Sequence, residues 1–338
     1  MSKILVTGGI GYIGSHTVVE LHNAGYEVVI VDNLSNSNIK ILDQLEQITG
    51  KRHEFVELDL QNATAVDSFA KENQDIAGII HFAAYKAVGE SVEQPLKYYR
   101  NNFYSLINLL TAYPKTNFVF SSSCTVYGQP DNLPVTEDSE VKKAESPYGN
   151  TKQIAEEILV ETAKVTPGLN VIALRYFNPV GAHKTALIGE LPNGVPQNLV
   201  PFITQSAIGK RGPIQVFGDD YDTTDGSAVR DYIHVVDLAK AHVAAVKRLE
   251  DGKVDNYDVF NLGTGKGSSV LEIINAFEQS TGEKLNYKIA PRREGDIEKI
   301  YGDVTKSKNV LGWQTELDLN EMMRSAWEWE KYIKANPF

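Results

Sequence analysis

Through the first half of the chain, short apolar runs alternate with amphipathic stretches of helical length. The runs that read as strands are 3–7, 27–31, 54–58, 76–82, 117–121 and 170–176, and the stretches between them that read as helices are approximately 12–24, 39–49, 63–72, 95–112 and 147–166. Strands that are apolar on both faces must be covered on both faces. This order therefore predicts an α/β fold, a Rossmann-type doubly wound parallel sheet. Beyond Phe177 the rhythm changes: a Pro/Gly-rich passage covers 189–201, a polar Gly/Asp/Thr segment covers 218–226, and the apolar units become shorter. The division expected is 1–177 as a nucleotide-binding domain and 178–338 as a smaller C-terminal α/β substrate-binding domain. The run 259–262 resembles one more strand, able to return to the main sheet.

Composition narrows the partners. With 338 residues, 42% of them hydrophobic, the chain can bury a large core or two intimately packed ones. A net charge of -11 argues against nucleic acid or an anionic membrane surface as a general partner, so an anionic ligand needs local Arg, Lys or backbone amides. Cys124 is the single cysteine and cannot pair internally, and no Cys/His group has zinc spacing. No metal is expected. The start runs straight into a strand, without the charged and apolar regions of a secretory leader, and no run reaches membrane-spanning length, so the cytoplasm is the expected compartment.

The first strand ends at Thr7 and is followed by Gly8, Gly11 and Gly14 at three-residue steps and then by a helix. Glycines there let the backbone turn tightly and approach a pyrophosphate, whose charge the helix N-terminus stabilises. Glycines also mark ordinary turns, but Asp32 ends the second strand 18 positions after Gly14, close to the ~20 expected for the acid that binds the adenine ribose hydroxyls. A carboxylate there repels a 2′-phosphate, and Asn33, Leu34, Ser35 and Asn36 offer no arginine to receive one. NAD is favoured over NADP. Sheet-end geometry further places Asp59 and Leu60 near the adenine edge, and Phe82, Ala83 and Ala84 beside the phosphates.

Ser121, Ser122 and Ser123 lie at a strand end, and Tyr148 and Lys152 open the helix of 147–166. Residues four apart share a helix face, about 5–6 Å apart at Cβ, and an ammonium beside a phenol favours the phenolate. Tyr148 is then a candidate general base, Ser123 a partner in the proton it shares with a substrate hydroxyl, and Lys152 an electrostatic helper with reach to a nicotinamide ribose. A Tyr-x-x-x-Lys spacing alone is common on helices. The combination with a dinucleotide loop and a strand-end serine is not.

These motifs resemble those of the extended short-chain dehydrogenase/reductases, and specifically of the UDP-glucose (UDP-galactose) 4-epimerase family. The resemblance runs over essentially the whole length: TGGIGYIGSH at 7–16, KAVGES at 86–91, SSSCTVYG at 121–128, SPYG at 146–149, RYFNPVGAH at 175–183, VRDYIHV at 229–235 and PRREGD at 291–296. It implies reversible interconversion of UDP-galactose and UDP-glucose through a 4-keto sugar on resident NAD. It makes Tyr148 the base, Lys152 its partner and Ser123 the helper. By the same resemblance, Gly11, Tyr12, Ile13, Asp32 through Ser37, Asp59, Leu60, Phe82, Ala83, Lys86, Asn101 and Phe177 are expected to line NAD, together with the catalytic residues. Asn178, Asn198, Leu199, Val216, Phe217, Arg230, Arg293 and Asp296 fall where the family's uridine and sugar contacts lie. The resemblance also implies a homodimer built on the helices of 95–112 and 147–166.

Two positions depart from the family pattern. Cys124 replaces a small alanine. Ile300, seven positions after Arg293, stands where a tyrosine restricts some members to unacetylated sugars, so partial acceptance of UDP-GalNAc and UDP-GlcNAc is expected. A nucleotide-sugar 4,6-dehydratase would need an acid/base Asp-Glu pair directly after the helper residue, where Cys124 and Thr125 stand. A UDP-uronate 4-epimerase or other NDP-sugar-modifying enzyme and a non-catalytic NAD-binding scaffold remain as alternatives, the last opposed by an intact Ser123, Tyr148 and Lys152.

Overall fold

The computed structural model describes residues 2–293 and 297–338. The apolar runs of the first half form β1 (Lys3–Thr7), β2 (Glu27–Asp32), β3 (Glu54–Glu57), β4 (Ile76–His81), β5 (Asn117–Ser121) and β6 (Val171–Tyr176). Later come β7 (Asn178–Val180), β8 (Ile214–Phe217), β9 (Val229–His234), β10 (Tyr257–Leu262), β11 (Gly267–Ser269), β12 (Tyr287–Ala290) and β13 (Lys299–Ile300). The helices are α1 (Tyr12–Asn23), α2 (Ile41–Thr49), α3 (Ala63–Glu72), α4 (Val88–Glu93), α5 (Pro95–Ala112), α6 (Pro147–Val165), α7 (Leu199–Ala207), α8 (Val235–Glu250), α9 (Val270–Thr281) and α10 (Leu319–Ala335). Each predicted strand and helix of the first half is present, with ends within two residues of the expected ones. The six-residue α4 was not expected; it is too short to show a helical period.

Seven parallel strands make the main sheet in the order β3-β2-β1-β4-β5-β6-β10. Successive side chains on a strand point to opposite faces. Ile4, Val6 and Ile30 pack to one side with Val18 and Leu21 of α1 and Leu238, Ala241 and Ala245 of α8. Leu5, Val29 and Val31 pack to the other with Phe69 of α3, Leu106 of α5 and Leu159 of α6. The return strand is real and longer than expected: β10 pairs with β6 from Tyr257 against Val171 to Leu262 against Tyr176. With α8 covering one face, residues from the second half complete the first layer system, so a boundary at 177 divides the chain but not the layers.

A second core lies under the sheet edge, where Ile203 of α7, Ile273 and Phe277 of α9, and Met322, Met323 and Trp327 of α10 close on β8. Between the two cores, β9 pairs with β7, β11 and β13. The strand order reverses at β1, between β2 and β4, which is where open α/β sheets leave a crevice beyond the strands' carboxyl ends. Thr7, Asp32, His81, Ser121 and Tyr176 all end strands on that edge.

Candidate active site

The glycine loop folds as its spacing requires. Gly8 has φ +68, a left-handed conformation that favours glycine, and its N–H donates to Val31 O at 2.7 Å. A Cβ on Gly14 would run into the Gly8 carbonyl, so the loop can pass close to α1 only without side chains. Gly11 is the N-cap of α1 and offers no side-chain cap, leaving the first helical N–H groups, including those of Tyr12 and Ile13, for an anion. Phe82 N donates to Thr7 O at 3.1 Å, and Ala83 lies against Gly8, so the Phe82–Ala83–Ala84 segment borders the same loop.

Asp32 sits at the mouth of β2, buried, its Oδ1 accepting from Ser37 Oγ at 2.7 Å and Leu34 N at 3.0 Å. Burial pushes its pKa up while these hydrogen bonds oppose the rise. Leu34 adopts φ +58 to close this turn, which brings 33–37 round the carboxylate. Leu58 N donates to Asp32 O at 3.0 Å, placing Asp59 one residue beyond; Leu60 is buried in the core with Val66 and Phe69, so its side chain serves packing. Lys86 lies 6.0 Å from the Tyr12 ring and 3.3 Å from Glu190, and Asn101 is buried on α5 with Nδ2 donating to Asn102 Oδ1 at 2.9 Å. Loop, carboxylate and strand ends together fit a dinucleotide: an anion cradle without Cβ atoms at one end and a buried strand-end carboxylate at the other.

Across the crevice, α6 starts on Ser146, whose Oγ accepts from Gly149 N at 3.1 Å, a cap worth about 1 kcal/mol. This start puts Tyr148 and Lys152 on the buried face, against the end of β5. Lys152 Nζ donates to Ser121 O at 2.6 Å and lies 6.0 Å from the centre of the Tyr148 ring. Ser123 Oγ accepts from Thr125 N at 3.2 Å, which leaves its own proton for the Tyr148 oxygen. Gln153 Nε2 donates to Val126 O and Lys142 O, fastening to α6 the turn that follows Ser123.

The electrostatics differ from the sequence expectation in one respect. Burial pushes the Tyr148 pKa up; Ser123 opposes the rise, whereas the ammonium of Lys152 is committed to a backbone carbonyl. The same burial lowers Lys152 to about 8, opposed by Glu156. The pair is therefore poised by position, and its phenolate needs additional positive charge beside it.

Cys124, Phe177 and Ile300 pack together with Tyr127 as one buried wall, so the two departures from the family pattern touch the same surface. Burial raises the Cys124 thiol to about 12, which makes it a packed apolar group. Ile300 on β13 pairs with Arg230 on β9. Asn178 opens β7 opposite Tyr232, Leu199 begins α7, and Asn198 Nδ2 before it donates to Glu190 Oε1 at 2.7 Å. Arg293 lies 4.6 Å over the Phe217 ring. The Val216 side chain is fully buried with Ile203 and Ile214, because alternation on β8 turns it into the second core and leaves Phe217 to face out, so a ligand contact there falls to its backbone. Asp296 lies outside the described residues. Glu190, which joins Lys86 and Asn198, had no signal in a Pro/Gly-rich loop without periodicity.

Comparison with known proteins agrees with this geometry. The family model for GDP-mannose 4,6 dehydratase matches residues 5–326. The chain is 51% identical to UDP-glucose 4-epimerase of Haemophilus influenzae, covering 97% of each, and 50% identical to that of Bacillus subtilis, covering 97% of this chain and 96% of the other. UDP-glucose 4-epimerase of Stenotrophomonas maltophila, solved with NAD and formylated UDP-arabinopyranose, superposes with a TM-score of 0.95 at 46% identity and 99% coverage of each chain; that of Bifidobacterium longum, solved with NAD+ and UDP, gives 0.93 at 46% and the same coverage. The positions after Ser123, Cys124 and Thr125, carry no carboxyl pair of the kind dehydration needs. The chain belongs to the UDP-glucose 4-epimerase family.

Proposed function

We propose that this protein interconverts UDP-galactose and UDP-glucose, an NAD-dependent isomerase reaction of galactose metabolism. The observation that carries the reading is the convergence of Ser123, Tyr148 and Lys152 on the crevice edge that holds the Gly8–Gly14 loop and Asp32. Bound NAD+ supplies the hydride acceptor for sugar C4. The Tyr148 oxygen takes the proton of the sugar 4-hydroxyl, with Ser123 hydrogen-bonded to the same oxygen and Lys152 held beside the ring on the Ser121 carbonyl; the positive nicotinamide ring would supply the further charge that the phenolate needs. Asp32 accepts from the adenine ribose hydroxyls and repels a 2′-phosphate. Arg230 and Arg293 hold the diphosphate, supplying the local cations that a chain of net charge -11 lacks overall. Residues 1–177 make the NAD half and 178–338 the UDP-sugar half, with α8 and β10 returned to the first. Ile300, in the wall with Cys124 and Phe177, is smaller than the tyrosine that restricts some members of the family, so N-acetylated sugars are also turned over, more slowly.

Purified protein without added cofactor should convert UDP-galactose to UDP-glucose and release NAD on denaturation, and UDP-GalNAc should be converted at a lower rate. Turnover that depends on added NAD and consumes it would sink the epimerase reading; inactivity on UDP-GalNAc beside normal UDP-galactose turnover would remove only the Ile300 assignment. A UDP-uronate as the sole sugar accepted would shift the assignment to that neighbouring activity.

The protein works in the cytoplasm as a homodimer. Among the described residues, no helix is long and apolar enough to cross a membrane. On α5, Leu96 is 80% exposed, and Tyr104 and Ile107 beside it, like Val160 on α6, are large apolar side chains left uncovered by the single chain. Packing these two helices against the same pair of a second copy covers them. Sedimentation equilibrium at micromolar concentration should give twice the chain mass, and Ile107→Glu should shift it toward one chain; a wild-type monomer refutes the dimer.

A further inference from the structure

Glu156 lies one further four-residue step beyond Tyr148 and Lys152 on the buried face of α6. Its Oε1 accepts from Ser122 Oγ at 2.5 Å and from Arg175 Nε at 3.1 Å, and its Oε2 from Arg175 Nη2 at 2.6 Å and from the Tyr257 hydroxyl at 3.4 Å. A buried ion pair adds little stability over well-packed apolar residues of the same volume. Its location matters more. Three consecutive serines at the end of β5 are each tied to a different partner. The Ser121 carbonyl accepts from Lys152, Ser122 donates to Glu156, and Ser123 reaches Tyr148. The Ser122 N–H donates to Phe120 O and Leu174 O at 3.0 Å, so its Oγ on Glu156 completes the anchoring of the residue that links the Lys152-bound carbonyl to Ser123.

We infer that Glu156 is a positioning residue: by holding Ser122 it sets the Ser121 carbonyl on Lys152 and the Ser123 hydroxyl on Tyr148, and its charge, balanced by Arg175, places the pH range in which that pair works. This rests on the epimerase reading of the site. Facing Glu156 are Lys152 on its own helix, Arg175 on β6 and Tyr257 on β10, with Asp258 beside Tyr257. Arg175 Nη1 also reaches the Tyr127 hydroxyl at 3.1 Å and the Glu137 carbonyl at 3.3 Å, and Lys152 faces His81 on β4. The sign follows from charge alone. Without the carboxylate, Arg175 is unbalanced and every nearby acid loses its proton more easily, so both limbs of the kcat profile move to lower pH. Without Arg175 they move to higher pH.

The test uses the NAD-loaded enzyme with UDP-galactose. Glu156→Gln should shift both limbs about one unit to lower pH, so that on the alkaline limb kcat falls about tenfold more than at the optimum, with KM within about twofold. Arg175→Gln should shift them the opposite way. Ser122→Ala, which keeps both charges, should lower kcat about tenfold without moving either limb. Unmoved limbs in Glu156→Gln overturn the electrostatic role, and wild-type kcat in Ser122→Ala overturns the positioning role. If Glu156→Gln does not accumulate as folded protein, Glu156→Asp carries the test: the charge stays and the reach shortens, so kcat falls with limbs unmoved, and wild-type kcat refutes the proposal. Absence of interconversion by the wild type itself removes the epimerase reading instead.

Discussion

Tyr148→Phe should convert UDP-galactose about a thousandfold more slowly than the wild type, with KM changed less than about threefold. The substitution removes one oxygen and leaves the ring in its buried place, between the start of α6 and the wall containing Cys124. Fold and NAD content should therefore be retained. The loss falls on the chemical step: among the described residues around the crevice, Ser123 has an ordinary alcohol's weak basicity, the Tyr176 hydroxyl is paired with Ser121 Oγ, and the carboxylates at Asp32 and Glu156 are engaged by Ser37 and by Ser122 with Arg175. A general base contributes roughly 10²–10⁴ in rate, which fixes the scale. Turnover within tenfold of wild type, on protein shown by circular dichroism to be folded, would defeat the assignment of Tyr148 as base.

The parts of this site readable from sequence are those set by local periodicity. Tyr148 and Lys152 share a face because they are four apart on a helix, and Asp32 lies at the glycine loop because a strand-helix-strand unit returns the chain there after a fixed length. Contacts made by tertiary closure left no such trace. Glu190 meets Lys86 across 104 residues of sequence, and Ser122 meets Glu156 across 34. Val216 was assigned to the ligand by resemblance and Leu60 by sheet-end geometry as well; alternation on β8 and packing against α3 turn their side chains into the cores, which only the folded structure shows. The return of β10 was visible as an apolar run, but its partner was not, since a strand's neighbours depend on the whole sheet.

Lowering the pH from 7.5 to 5.5 should reduce the melting temperature by several degrees. His16, His81, His234 and His242 are buried, and desolvation of the charged imidazole lowers their pKa values to about 3, 3, 4 and 4. His16 Nδ1 and His242 Nδ1 lie 2.8 Å from the carbonyls of Tyr12 and Leu238, which can only accept, so these nitrogens carry the hydrogen. Their Nε2 atoms are buried without a partner, and a second proton there would have nothing to bond. Unfolded imidazoles titrate near 6.5, so between that pH and about 4 the unfolded chain binds more protons and stability falls as pH falls. At pH 5.5 each such histidine costs about 1.4 kcal/mol, and the four together about 6 kcal/mol, a large part of a typical 5–15 kcal/mol. His53 and His183, both lowered to about 4 by burial, act in the same direction. With an unfolding entropy near 2.1 cal/mol/K per residue, 6 kcal/mol corresponds to a drop of about 8 °C. Relaxation of the net charge of -11 acts oppositely, since protonation relieves self-repulsion, so the direction of the shift decides between the two effects. Thermal unfolding followed by circular dichroism at 0.15 M salt and low protein concentration makes the measurement; a melting temperature that holds or rises on acidification would show that the buried histidines do not govern acid stability.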